Sequence, residues 1–330
     1  MSRRLVNLLL LASVVALVTT GLIPWLLPES LVLPLYAAHR VAGVALVLAL
    51  VWKYGIASRS LRRRLRLPRP DRTVVAGALA TLALLVTLAL GLAWSTGLVS
   101  FDRPWPYSPL NVHVFLGIAL IPLLVWHVAQ RLEARPAVGR LLTRRSALRL
   151  LVLGAAALVV NVITDRIAEA RRPTGSKHAG SFTGNAFPLT IWQFDTVPPL
   201  DAATWSLEVR GRVARPGRLS YAELLALGRR EATAILDCTG GWWSEQVWSG
   251  TAVRDLLRAR GLDGAATAVE VVSVTGHRWG FTVAELEGAL LATHVGGQVL
   301  SAGHGYPARL VVPGRRGFQW VKWVDRLEVA

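Results

Sequence analysis

The stretch ILDCTGGWWSEQVWSG, residues 235–250, contains Cys238, the only cysteine in 330 residues. A single thiol cannot close an intrachain disulfide or build a CxxC zinc site. Nor can it hold a cysteine-ligated iron–sulfur cluster or attach haem through CxxCH. Alone, a thiolate can act as one soft ligand to a metal that takes its other ligands elsewhere, and coordination keeps the sulfur deprotonated. Gly240 and Gly241 follow at once and let the backbone approach a bulky group with no Cβ in the way. A buried structural thiol is the bland alternative.

Three histidines lie in apolar runs: His39 in YAAHRVAGVALVLALVWKYG, and His113 and His127 in LNVHVFLGIALIPLLVWHVAQ. Ionisable groups are costly in hydrocarbon and point to function there, although interhelical hydrogen bonding would also account for them. Fourteen residues separate His113 from His127, which puts them on one helix face roughly 21 Å apart. This spacing resembles transmembrane b-type cytochromes of the ferric-reductase and di-haem kind.

The elements that must carry these residues are membrane spans. A spanning helix needs roughly 20 apolar residues, and five segments qualify: 5–27, 32–52, 73–94, 109–129 and 146–164. The first is expected to be a retained helix, because no small-residue cleavage site precedes Pro24-Trp25 and another span follows at once. A net charge of +17 raises the question of nucleic acid. Most basic residues, however, sit in short segments between apolar runs, the pattern of membrane topology, so no nucleic-acid partner is expected.

KYGIASRSLRRRLRLPRPDR (53–72) and QRLEARPAVGRLLTRR (130–145) are densely basic, whereas LPESLVLP (27–34) and STGLVSFDRPWPYSPLN (95–111) are nearly free of basic residues. The N-terminus and both basic loops are therefore assigned to the cytoplasm, and residues beyond about 165 to the outside. His39 and His113 then lie near the outer surface on parallel helices, where they can ligate one haem iron from both sides. His127 lies near the inner surface. The position fourteen after His39 is Lys53, a departure from the di-haem pattern that leaves a second, inner haem on His127 without its partner. Lys53 is expected to snorkel or to help form a quinone pocket. TRRSALRLLVLGAAALVV (143–160) resembles a twin-arginine export signal placed before the fifth span. It implies that the following domain crosses the membrane folded, with its cofactor already inserted. Plain positive-inside flanking would use the same residues.

After RRPTGSKHAG, read as part of a linker over 166–181, the pattern turns α+β. TWSLEVRGRV, VEVVSV, ARLVVPG and WVKWVDRLEV read as strands, and Ser220 with Glu223, like Thr282 with Glu285, forms a capping box. FPLTIWQFDTVPPLDAATWSLEVRGRV, LDCTGGWWSEQVWSGTAVRDLL and ALLATHVGGQVLSAGHGYPARLVVPGRRGFQWVKWVDRLEV follow in order. Together they resemble the molybdopterin-binding domain of the sulfite oxidase family over 182–330. Two features are distinctive: a cysteine in a glycine turn ahead of W-x-G, and HGYPARLVVP followed by a lysine before Trp-Val. With no further C-terminal dimerisation domain, the region is similar to the smaller bacterial members, the periplasmic methionine sulfoxide reductase catalytic subunit among them.

The resemblance implies that Cys238 is the single protein ligand to molybdenum, the other sulfurs coming from the pterin. It places Asn185, Thr239, Gly240, His304, Arg309 and Lys322 around the cofactor. Arg309 would offer the pterin phosphate a bidentate fork and Lys322 a point charge. Trp242, Trp243, Trp248, Trp279, Trp320 and Trp323 are expected to pack the core or line a pocket. His178, His277 and His294 lack a ligand partner in sequence. Arg278 and Arg315 offer either an anion site or a solvated face.

The expected architecture is a membrane all-α helical bundle of about five transmembrane helices (1–165) followed by an α+β sulfite oxidase-type molybdopterin-binding domain (182–330). The expected protein is a multi-pass oxidoreductase of the cytoplasmic membrane with an extracytoplasmic catalytic domain and no obligate protein partner. It would use Mo-molybdopterin and haem b, exchange electrons with quinone or quinol, and reduce S-oxides or N-oxides. Alternatives are sulfite-type oxidation delivering electrons to quinone, and a non-catalytic electron-transfer or anchoring module.

Overall fold

The computed structural model describes residues 2–27, 29–64, 72–100, 107–129, 143–167, 172–191 and 195–330. It forms two compact units, Met1–Gly175 and Ser176–Ala330. Residues 65–71 of the first basic loop and 130–142 of the second lie outside the described residues, as do 101–106 of the sparsely basic loop and 168–171 of the expected linker.

The first unit consists of α1 (Arg3–Leu22), α2 (Glu29–Arg64), α3 (Arg72–Thr96), α4 (Pro109–Ala129) and α5 (Arg144–Ile167). All five are long and apolar enough to cross a membrane. Their apolar residues surround the helix instead of forming one stripe, as expected of helices solvated by lipid. Val51, Leu82 and Leu151 are 72%, 61% and 69% exposed, which suits hydrocarbon and not water. Helix α2 runs well past the expected end at residue 52 because Lys and Arg are good helix formers whose heads can reach water.

Helix α1 packs on α2, α3 on α4, and α2 on α5. Polar side chains add fixed points. Arg40 donates to Asn161 at 3.2 Å and pairs with Asp165 at 3.0 Å, joining α2 to α5. Lys53, expected at the headgroups or in a quinone pocket, donates to Asn7 of α1 at 2.9 Å.

The second unit holds two sheets. The first has the path β1 (Lys177–His178), β5 (Trp242–Ala252), β8 (Leu290–Val295), β10 (Arg309–Val311), with β4 (Arg230–Asp237) paired to β5 and β9 (Gln298–Val299) to β8. The second has the order β3 (Gly217–Ser220), β2 (Ser206–Gly211), β11 (Val324–Val329), β6 (Ala268–Ser273), β7 (Arg278–Thr282). Alternation in β2, β6 and β11 buries Leu207, Val209, Val269, Val271 and Leu327, the period-2 pattern of a sheet with one face in the core.

The Ser220–Glu223 box caps α6 (Tyr221–Ala226). Thr282 and Glu285 exchange the same bonds, but the turn they begin is only the 3-10 segment Ala284–Leu286. The expected linker at 166–181 is shorter in the structure. Helix α5 continues to Ile167, and Lys177–His178 is already a strand, parallel to Trp242–Trp243 of β5.

Candidate functional site

Cys238 lies in the tight connection between β4 and β5. Its backbone N–H donates to Trp242 O at 2.8 Å, and its carbonyl accepts from Gly241 N at 3.0 Å. Gly241 has φ +82°, a conformation glycine adopts without cost. The Gly240 N–H donates to Cys238 Sγ at 3.3 Å. Thr239 lies in the same turn, half-buried. Asp237 at the end of β4 accepts from Ser176 Oγ at 2.6 Å, so the chain entering the second unit braces the cysteine turn. From the other side, a Cβ at Gly317 would meet Asp237 O at 3.0 Å and Cys238 Cα at 3.4 Å.

His304, Arg309 and Lys322 come together although three separate segments supply them. A Cβ at Gly305, where φ is +113°, would meet Arg309 Cβ at 3.0 Å and Lys322 Cβ at 3.4 Å. Glycine there lets the two cationic stems approach. Lys322 Nζ donates to Thr190 O at 2.9 Å and Gly303 O at 2.8 Å. Arg309 Nη1 donates to His304 O at 3.2 Å, and its guanidinium carbon stands 5.2 Å from the Trp248 ring centre and 5.7 Å from that of Trp320. His304 Nε2 donates to Phe187 O at 3.2 Å. The ring is therefore protonated at Nε2, and Nδ1 accepts from Ser301 Oγ at 2.7 Å.

Burial governs the charges. Desolvation, then the Arg309 and Lys322 charges, lowers the His304 pKa to about 4, which keeps the imidazole neutral. Desolvation, then Arg309, lowers Lys322 to about 7, while Cys238 and Asp195 act in the opposite sense. Arg309 is lowered to about 10 by desolvation and raised by Cys238. Among the described residues no carboxylate pairs with either cation. Two cations held beside a thiol, bonded only to carbonyl oxygens, form a site for an anion.

Other expected residues fall differently. Asn185 Nδ2 donates to Val299 O at 2.8 Å and Oδ1 accepts from Ser301 N at 2.8 Å, so its side chain is spent on the loop that carries His304. Arg278 pairs with Glu270 at 3.7 Å, and Arg315 pairs with Glu285. Trp242, Trp248, Trp320 and Trp323 are buried, as expected of tryptophans in a core. His178 lies against Trp243 with ring centres 4.4 Å apart. His277 donates to Phe318 O at 3.0 Å, and His294 Nδ1 is 2.8 Å from Thr293 Oγ1. Sequence reasoning missed Ser176, Thr190 and Ser301. Thr190 and Phe187 bind through backbone carbonyls, which leave no trace in residue type.

In the first unit the His39 and His113 rings stand 6.0 Å apart, centre to centre, with planes at 80°. His39 Nδ1 donates to Leu17 O at 3.0 Å and His113 Nδ1 to Thr87 O at 2.8 Å. Each bond fixes the tautomer that leaves Nε2 with a lone pair. Cβ atoms at Gly21 and Gly91 would meet these rings at 3.0 and 2.9 Å. His127 lies beside Gly77, whose Cβ would stand 3.7 Å from it. Among the described residues no three His, Cys, Asp or Glu side chains form a metal cluster.

Residues 194–330 match the family described as oxidoreductase molybdopterin binding domain. The chain is also similar to nitrate reductases from Hordeum vulgare. One, the NAD(P)H enzyme, is 30% identical over 168 residues, covering 41% of this chain and 19% of its own length. An NADH enzyme is 32% identical over 168 residues, covering 40% and 18%. The chain thus spans about a fifth of these relatives. Among solved structures, the sulfane dehydrogenase SoxCD from Paracoccus pantotrophus is 27% identical over 40% of each chain, with TM-score 0.39.

The residues of the second unit fit the cofactor that this family description names. Arg309 Nε and Trp320 Nε1 are buried with no hydrogen-bond partner among the described residues, and an unmade bond on a buried donor is costly. A phosphate-bearing ligand with further polar edges supplies acceptors of the kind these donors need. The histidine pair likewise fits a metal. Bonds of about 2 Å to each nitrogen, plus the ring radii, put imidazole centres roughly 6 Å apart.

Proposed function

We propose that this chain is a membrane-bound molybdenum oxidoreductase that joins oxygen-atom chemistry in the second unit to a b-type haem in the first. The single observation that carries the reading is the co-occurrence, in one chain, of the Cys238–Arg309–Lys322 site and the His39–His113 pair. When bound, molybdenum supplies two-electron transfer (R2SO + 2 e⁻ + 2 H⁺ → R2S + H2O), and haem passes the electrons one at a time. A quinol oxidised to quinone in the bilayer would release those two electrons and two protons.

The chain's own residues bind and orient. Cys238 Sγ would hold the metal, and the Gly240 N–H would keep the sulfur turned into the turn. Arg309 and Lys322 would take the pterin phosphate, and neutral His304 would fix the segment whose carbonyl holds Arg309. His39 and His113 would hold one haem iron through Nε2. His127, next to Gly77 and without a histidine fourteen residues after His39 to answer it, would leave the inner position unused. The positive-inside pattern supports an extracytoplasmic second unit, and the Arg144-Arg145 motif supports export of that unit already folded.

Two arginines that could have held an anionic substrate are instead paired with Glu270 and Glu285. This supports reduction of an uncharged S-oxide or N-oxide over oxidation of sulfite. The test is a substrate panel on the purified full chain. Oxidation of reduced haem by methionine sulfoxide or trimethylamine N-oxide is expected. Reduction of oxidised haem by sulfite, with no response to the oxides, would reverse the assigned direction.

A further inference from the structure

Helices α2 and α5 are locked by Arg40, Asn161 and Asp165 toward one end. Toward the other end they leave a groove of about 450 Å³. Its walls are apolar, among them Val51 and Trp52 of α2 and Leu148 and Val152 of α5, yet Arg145 and Arg149 also line it. These arginines are four residues apart on α5, hence on one face, with Arg149 roughly 6 Å further along the helix. Among the described residues neither has a hydrogen-bond or ion-pair partner. A guanidinium one turn into a span is costly unless it snorkels or meets a counter-charge.

We propose that this groove is a binding site for an anionic phospholipid. The headgroup phosphate would lie between Arg145 and Arg149, and an acyl chain would run along Leu148 and Val152. Charge complementarity selects this occupant: two permanent cations with no counter-charge among the described residues sit over an apolar trough, at the end that positive-inside topology assigns to the cytoplasmic leaflet. Trp52 beside them is the aromatic type that favours the headgroup level. A quinone matches less well. It brings no charge for either arginine, and Trp52 lies thirteen residues beyond His39, roughly 20 Å along the helix from the histidine pair.

Full-length protein, delipidated in detergent, is titrated with phosphatidylglycerol and with phosphatidylcholine, and bound lipid is counted by native mass spectrometry. The expected result is a preference of about 30-fold for phosphatidylglycerol. Arg149→Gln is expected to cut that preference about fivefold, Arg149→Lys to keep most of it, and Val152→Trp to block occupancy by filling the trough. Millimolar inorganic phosphate should not displace the lipid, since it lacks the acyl chain. Equal binding of the two lipids by the wild-type chain would overturn the proposal whether or not any variant folds. So would one-for-one displacement of phosphatidylglycerol by ubiquinone, or unchanged phosphatidylglycerol binding in both Arg149→Gln and Val152→Trp.

Discussion

His39 and His113 face each other from α2 and α4 with ring centres 6.0 Å apart, each tied through Nδ1 to a backbone carbonyl of a neighbouring helix. Two half-buried imidazoles with both Nδ1 atoms bonded to carbonyls are arranged as ligands. If they hold one haem, His39→Ala and His113→Ala should each abolish the low-spin bis-histidine absorption spectrum, whereas His127→Ala should preserve it. A spectrum that survives either of the first two changes would remove that residue from the ligand set.

Clearance beside the ligands yields a second prediction. A Cβ at Gly91 would stand 2.9 Å from the His113 ring, closer than any real contact, so the ring would have to move. Gly91→Leu should therefore lower haem occupancy several-fold while the helices still insert. Gly117, where a Cβ meets nothing within 4 Å, should accept alanine with no change in haem content. Pyridine-haemochrome assay per mole of protein measures both.

Lys322 links binding to pH. Burial lowers its pKa from 10.5 to about 7. Between those values the unfolded chain carries a proton that the folded chain lacks, so stability of the cofactor-free domain should rise with pH across this window. An anion bound at Arg309 and Lys322 reverses the shift. Binding of sulfate, which does not itself titrate in this range, should then take up protons at pH 8 and fewer at pH 6. Calorimetry in buffers of different ionisation enthalpy reads this directly, and a buffer-independent enthalpy at pH 8 would exclude Lys322 from the anion site.

The start of the second unit can be tested by truncation. A soluble fragment beginning at residue 182 lacks β1 and the Ser176–Asp237 bond that braces the cysteine turn, whereas one beginning at 172 keeps both. The shorter fragment should melt several degrees lower, since one lost buried hydrogen bond costs about 1–3 kcal/mol. Equal melting temperatures would show that β1 contributes nothing to the turn.

Much of this was legible in the sequence because the signals were local. The spans follow from apolar runs and loop charge, and the strands around Cys238 from alternation bounded by glycine. The meeting of His39 with His113 followed from span direction alone, since parallel helices bring equal depths together. What escaped were pairings set by the tertiary fold. Strand β1 has two residues and joins β5 some 65 positions away in parallel, too short to show any periodicity. Asn185 binds the backbone of 299 and 301 through its amide, and Lys53 meets Asn7 of α1, bonds between positions too far apart in the chain to be read from it.

The central claim is that a metal held by Cys238 exchanges electrons with a haem in the same chain. Stopped-flow mixing of pre-reduced, full-length protein with methionine sulfoxide, followed at the haem absorption bands, tests it most directly. The account predicts that wild-type haem is oxidised as sulfide forms. Cys238→Ser, with its haem spectrum intact, should show no such oxidation. Haem oxidation at the wild-type rate in Cys238→Ser would contradict the claim.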